Sequence, residues 1–151
     1  PNYRWVGPIY DIKSYVYIKA ERSLSEQDFD VNNALTTAII IDDVNFQYMP
    51  SLYIEDSRIS SVTTPETPIQ MLDRGRVDFI IDNGLNFKEM AQRTGLNEKD
   101  FKRLFVVDSA PISYAISPST AEEQVQRLQE ALDGIKASSE YVELLKKYDL
   151  W

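Results

Sequence analysis

The side chains available for chemistry in this 151-residue sequence are carboxylates, amides and hydroxyls, because it contains no cysteine and no histidine. That excludes thiolate nucleophiles, zinc–thiolate centres, disulfides and every Ser–His or Cys–His triad. Two acidic loops stand out, each following an apolar run. Asp42-Asp43-Val44-Asn45 comes directly after Ala38-Ile39-Ile40-Ile41, and Asp82-Asn83-Gly84 directly after Val77-Asp78-Phe79-Ile80-Ile81. Carboxylates so grouped can do acid–base work, or they can hold the cationic or hydroxyl groups of a solute. Nothing in the sequence supplies a catalytic acid with its partner, so the loops read as a binding site and no enzyme activity is expected. Asp78, Asp82 and Asn83 do not reproduce the Asp-x-Asp-x-Asp-Gly calcium loop, and no metal or cofactor is expected.

The elements that must position these loops follow from the pattern of apolar residues. Short, wholly apolar runs that end in polar residues are buried central strands covered on both faces. Open α/β sheets hold ligands outside the carboxyl ends of such strands, where loops and helix N-termini gather. A strand is expected over Ser14–Ala20, after a turn-rich stretch broken by Gly7-Pro8. A short helix is expected at Ser25–Asp28 with Ser25 capping, and another from Val44 to Leu52, shortened at Pro50. Ser57–Val62 reads as a strand. Thr67, as N-cap before Pro68, starts a helix that Gly75 ends; Gly84 starts one that runs toward Gly95. A short helix over 97–102 leads to strands at 104–107 and 112–116. Ser119-Thr120-Ala121-Glu122 should cap the longest helix, whose apolar face is Val125, Leu128, Leu132 and Ile135. Tyr141, Leu144, Leu145 and Tyr148 give the last helix a similar face. Strands alternating with helices over short connections imply an α/β fold with a doubly wound, mostly parallel sheet.

The formal charge of −8 argues against nucleic acid and against an anionic membrane surface, both of which need clustered Lys and Arg. No apolar run approaches the ~20 residues of a membrane span. Pro1 is not a natural start, so further residues are expected upstream.

Four stretches, in order, resemble the bacterial extracellular solute-binding proteins of the polar amino acid family. Arg4-Trp5-Val6-Gly7-Pro8 with the Tyr15–Ala20 strand is similar to the family's crossing between lobes. Met71-Leu72-Asp73-Arg74-Gly75-Arg76-Val77-Asp78-Phe79-Ile80-Ile81 resembles its "glycine-arginine-valine-aspartate, apolar" segment. Ile112-Ser113-Tyr114-Ala115-Ile116-Ser117-Pro118 resembles its return strand. Leu132-Asp133-Gly134-Ile135-Lys136 through Tyr148 resembles its terminal helices.

The resemblance implies a type II periplasmic binding protein architecture, in which two α/β lobes joined by hinge strands close on a ligand. Residues 1–11 would then be the approach from a preceding first lobe and 12–110 the second lobe. Residues 111–118 would be the return hinge strand, and 119–151 two helices belonging to the first lobe. The implied function is extracytoplasmic capture of a small polar solute for a membrane ABC-transporter permease. The compartment would be periplasmic or extracellular, with a lipid anchor at the missing N-terminus allowed for. The alternatives are an extracellular sensing domain of a signalling receptor and an interaction module that binds no solute. The ligand-binding candidates are Tyr10, Asp42, Asp43, Asn45, Asp82 and Asn83.

Two departures from the family are specific. Asp43-Val44 stands where amino-acid binders present a glycine-threonine pair to the ligand carboxylate. Asn83 stands at the place of the aspartate that pairs with the ligand ammonium, with Asp82 one position earlier on the opposite strand face. Both point to a cationic or polyhydroxylated solute rather than a standard amino acid held in the usual way. The helices at 119–151 are expected to leave their apolar stripe uncovered, so that a dimer, a domain swap or the remainder of the first lobe must cover it.

Overall fold

Two strands of 16 residues, β1 (Arg4–Lys19) and β5 (Phe101–Ile116), organise the chain. The computed structural model describes residues 2–32, 34–148 and 150. The chain forms two compact units: one is Pro1–Lys13 with Ser109–Trp151, the other Ser14–Asp108. Each long strand begins in one unit and ends in the other.

The Ser14–Asp108 unit is the α/β part. Strands β2 (Thr37–Ile40) and β3 (Ile59–Val62) pair in parallel, Thr37 with Ile59 through Ile40 with Val62. A parallel bridge joins Thr37 to Phe79, immediately before β4 (Ile80–Asn83). β4 then pairs antiparallel with β1, Ser14 opposite Asn83 and Tyr17 opposite Ile80, within the order β4-β1-β5. The expected α/β fold is present, with a parallel centre and β1 running against it. Helices α1 (Thr67–Asp73) and α2 (Gly84–Thr94) pack beside these strands. α1 begins at Thr67 itself, with Glu66 in the N-cap place and Pro68 in the first turn, one residue earlier than the sequence suggests. α2 ends as expected, on Gly95 at φ 70°, a conformation that costs glycine little.

Alternation along each strand explains why these runs are apolar throughout. Tyr17, Ala38 and Ile80 belong to one buried cluster, with Leu72, Phe87 and Phe101. Their strand neighbours Val16, Ile18, Ile39 and Ile81 belong to a second, with Phe29, Met49 and Phe79. Successive side chains point to opposite faces, so where the sheet is covered on both sides the strands read as nearly continuous apolar runs, and the buried Thr37 hydroxyl is satisfied by the Phe79 carbonyl.

Several local expectations are corrected. The stretch from Val44 to Leu52 is two 3-10 segments, Val44–Tyr48 and Pro50–Leu52, closed by Tyr53 at φ 57°. Pro50 has no N–H to continue a ladder, and the β-branched and aromatic residues before it favour no helix. The 97–102 helix is a single 3-10 turn, Glu98–Asp100, capped by Asn97, and Phe101 already begins β5. The strands at 104–107 and 112–116 are one: β5 runs through Pro111. It borders its sheet, where a residue lacking an N–H is tolerated.

In the other unit, the stretch through Gly7-Pro8 is part of β1, and the Gly7–Pro8 bond is cis. A Cβ at Gly7 would lie 2.1 Å from Ser113 Oγ, so only glycine allows β5 to approach there. Helix α3 (Glu122–Lys136) takes Ala121 as its N-cap, without a side-chain hydrogen bond. Ser119 Oγ instead shares a hydrogen bond with Ser117 Oγ. Helix α4 (Ser139–Lys147) is capped by Ser138, which accepts from the Tyr141 N–H. Tyr141 Oη donates to the Ile9 carbonyl at 2.6 Å and Lys136 Nζ to that of Pro8 at 2.7 Å, tying both helices to β1. Of the α3 stripe only Leu132 is buried; Leu128 is 48% and Ile135 57% exposed. No helix among the described residues is long and apolar enough to cross a membrane.

Candidate functional site

The two acidic loops lie together at the carboxyl ends of β2 and β4. Ile41 donates its N–H to the Val62 carbonyl, and Asp42 then turns the chain at φ 64°. Asp43 follows in extended conformation and caps the Val44–Tyr48 turn by accepting the Asn45 N–H at 2.8 Å. Capping therefore falls to Asp43, and Asp42 supplies the left-handed residue that reverses the strand. Asn45 reaches across to the second loop, its Nδ2 donating to the Ile81 carbonyl at 3.4 Å.

In the second loop, Asn83 and Asp82 have different roles. Asn83 closes β4 and becomes the N-cap of α2, its Oδ1 accepting the Asn86 N–H at 2.9 Å. Asp82, on the opposite face of the strand, enters the cavity that Asp43 and Asn45 also line. Its carboxyl accepts from Asn86 Nδ2 at 2.9 and 2.8 Å and from the Asn83 N–H at 2.8 Å. Burial pushes its pKa up to about 7 against those bonds, and the negative charge of Asp43 pushes the same way. Two carboxyl groups in one pocket disfavour double ionisation. A cation placed between them would reverse that effect.

The space between the loops is about 20 Å3, enough for a water molecule and not for a solute. Beside it, a cavity of about 370 Å3 is walled by Ile41, Asp42, Asp43, Phe46 and Ser61, a volume within the usual range of small-ligand sites. Ile41, Val44 and Phe46 are exposed around it. The acidic edge thus has an apolar floor.

Of the six residues singled out by sequence, Asp43, Asn45 and Asp82 line one cavity, Asp42 lines the adjoining one, and Asn83 caps the helix behind them. Tyr10 belongs to the other unit, where it borders a separate cavity with Lys13, Lys136 and Tyr141. Sequence reasoning passes over Asn86, although its spacing of four from Asp82 at a helix start is a readable signal. Asp78 braces the fold instead of facing the site. It accepts from Thr36 N–H and Oγ1 at 2.9 and 2.8 Å and pairs with Arg22 at 2.6 Å. Among the described residues no three His, Cys, Asp or Glu side chains are grouped to hold a metal.

The sequence matches no protein-family model and no curated protein. Its fold is nevertheless close to solved structures. The second substrate-binding domain of an amino acid ABC transporter from Streptococcus pneumoniae superposes with a TM-score of 0.71 at 17% identity, over 97% of this chain and 64% of that one. ArtJ of Geobacillus stearothermophilus, an arginine-, lysine- and histidine-binding protein, gives 0.67 at 17%, over 97% and 62%. A histidine kinase sensor domain with similarity to periplasmic binding proteins gives 0.68 at 13%, over 97% and 62%. This chain therefore has the fold of the type II, amino-acid-binding periplasmic proteins, and spans just over three-fifths of the length of each.

Proposed function

We propose that this chain is the ligand-closing part of an extracytoplasmic solute-binding protein that captures a small polar solute for an ABC-transporter permease. The observation that carries this reading is the convergence of Asp43, Asn45 and Asp82 at the carboxyl ends of β2 and β4, where α/β sheets hold ligands. The solute is cationic or polyhydroxylated, because the edge offers two carboxyl groups where an anion would be repelled. No catalytic step is assigned to it. Residues 1–11 and 111–118 act as hinges, the 12–110 region closes on the solute, and the helices of 119–151 complete the other lobe. The compartment is periplasmic or extracellular.

Ionisation gives this reading a signature. The Asp82 carboxyl, at about 7, is partly protonated at neutral pH. A cation that pairs with it displaces the proton, so cationic ligands should bind more tightly at pH 8 than at pH 6. A thermal-shift screen of the chain at both pH values provides the test, because a ligand specific for the native state raises the melting temperature. Cationic amino acids and polyamines should stabilise it, more so at pH 8. Stabilisation by glutamate and not by any cation would sink the assignment.

The likeness to a histidine kinase sensor domain favours a second reading, in which the same site reports its ligand to a signalling receptor. Membrane partners pulled down with the intact protein, permease or kinase, separate the two.

A further inference from the structure

The segment that carries Asp42 and Asp43 also exposes large apolar side chains. Ile41 is 53%, Val44 66% and Phe46 47% exposed. Single exposed apolar residues are ordinary on a protein surface, whereas a group of them around a concavity is what binding grooves show. Ile41 and Phe46 are walls of the cavity of about 370 Å3, together with Ile39, Asp42, Asp43 and Ser61. The local backbone holds them there. The Asp43 N–H donates to the Ile40 carbonyl at 3.0 Å, and the Phe46 N–H donates to the Asp43 carbonyl at 3.1 Å. The carboxylate of Asp43 and the ring of Phe46 therefore start from one hydrogen-bonded turn.

Asp43 is a wall both of this cavity and of the water-sized space beside it, which Asn45 and Asp82 also line. The two spaces differ in chemistry as well as in size. In the small one, Asp82 accepts twice from Asn86 Nδ2 and once from the Asn83 N–H, and a carboxylate has about four acceptor sites. One site remains, and Asp43 has committed one of its own to the Asn45 N–H. A space of about 20 Å3 suits an ammonium group, which is about the size of a water molecule and brings donors for both carboxyl groups. A sugar ring does not enter it. In the larger space, hydroxyls or a second charge laid against Ile41 and Phe46 would lose water without gaining a partner. A carboxylate there would face Asp42 and Asp43 and be repelled. An aromatic or branched aliphatic body meets neither cost.

We propose that the site takes amphipathic primary amines, with the ammonium seated between Asp43 and Asp82 and an apolar body lying on Ile41 and Phe46. Phe46 is the residue that sets specificity. The inference rests on the solute-binding reading and adds the class of solute. A wholly polar solute would leave Ile41 and Phe46 wet, whereas an apolar body is stabilised by covering them.

Phenethylamine, ethylamine and 3-phenylpropionate are the probes: ethylamine lacks the ring, and phenylpropionate carries a carboxylate in place of the ammonium. Affinities come from amide chemical-shift titrations of the 151-residue chain at pH 8. Wild type should bind phenethylamine about 10-fold more tightly than ethylamine, the gain for covering part of an aromatic ring, and should not bind phenylpropionate. Phe46→Ser should reduce that preference to about twofold. Ile41→Ser should act in the same direction by a smaller factor, and it carries the test if the Phe46 variant does not fold. Equal affinity of wild type for the two amines, or a ratio that the substitution leaves unchanged, overturns the apolar half and leaves the solute-binding reading standing. Phenylpropionate bound as tightly as phenethylamine overturns the seat of the ammonium, and the inference with it. If putrescine binds and phenethylamine does not, the inference falls alone; if no cation binds, the cationic-solute reading falls too.

Discussion

The Ser14–Asp108 unit contains both buried apolar clusters, whereas the other unit, among the described residues, buries only Val6 and Leu132 of its large apolar side chains. Large apolar side chains are exposed in both units, but the smaller one has more of them. Tyr3, Trp5, Ile112, Tyr114, Leu128, Ile135, Leu144 and Tyr148 are all exposed and all in the coreless unit, with Trp5 at 62%. A unit whose helices are held to β1 by the Gly7 N–H donating to Gln129 Oε1, and by Lys136 and Tyr141 donating to the Pro8 and Ile9 carbonyls, has secondary structure without an interior. The acidic edge is built on the unit that contains both buried clusters.

The largest effects should come from the two-sided core. Phe79 is fully buried, lies edge-on to Phe29 at 5.0 Å, and adjoins the bridge that joins β2 to the β4 region. Phe79→Ala should cost about 3–5 kcal/mol in urea unfolding, the range for a large core side chain reduced to alanine. Leu132→Ala, in the coreless unit, should cost clearly less, about 1 kcal/mol, since few buried neighbours surround the cavity it leaves. Equal costs would break the comparison.

Next in size is Asp82. Its folded-state pKa of about 7 lies above the ordinary 3.8. Between those values the folded chain holds a proton that the unfolded chain has lost, so stability falls as pH rises through that window and is flat above it. Asp82→Asn removes the slope. It should stabilise the chain by about 2–4 kcal/mol at pH 8, after allowance for partial exposure, and by almost nothing at pH 3. Urea titrations at the two pH values read the difference. A variant equally stable relative to wild type at both would show that Asp82 is solvated, and would remove the case for a proton displaced by a cation.

Asn83→Ala should cost about 1 kcal/mol, the usual loss for an N-cap side chain, because the bond to the Asn86 N–H goes with it. It should weaken ligand binding only as far as Asn86 shifts away from Asp82. Parallel measurements of unfolding and of cation affinity therefore separate the capping role of Asn83 from any part it takes in the proposed binding site.

How far these features could be read in sequence depends on how local they are. The run Ala38–Ile41 shows a two-faced strand by itself, because a sheet with apolar clusters on both sides reads as nearly continuous apolar runs. The stop at Gly95 and the proline-led start near Thr67 are equally local. β5 was not legible as one strand, since Pro111 reads as a break unless its place at the sheet border is known. The helix expected across Val44–Leu52 was undone by Pro50 and by the tight turn that begins at Asp43. At the site, both loops were visible as acid following apolar strand. The division of labour between Asp82 and Asn83 was not, because a strand's alternation and a helix's cap meet at that step.

The smallest stability effect bears most directly on the coreless unit. Leu128 and Ile135 follow each other by seven on α3 and share the stripe with buried Leu132. Replacing both by serine should change the unfolding free energy of the chain by no more than about 0.5 kcal/mol, as for other exposed positions. The same change should lower self-association, because at about 25 cal/mol per Å2 the wet stripe gains by being covered. Sedimentation velocity across a concentration series reads that gain. Wild type should associate reversibly and the double variant should remain monomeric under the same conditions. If wild type is monomeric throughout, a second copy is not what covers α3. A cost of several kcal/mol for the double substitution would instead mean that the stripe is already packed in solution, and the contrast between the two units would fall.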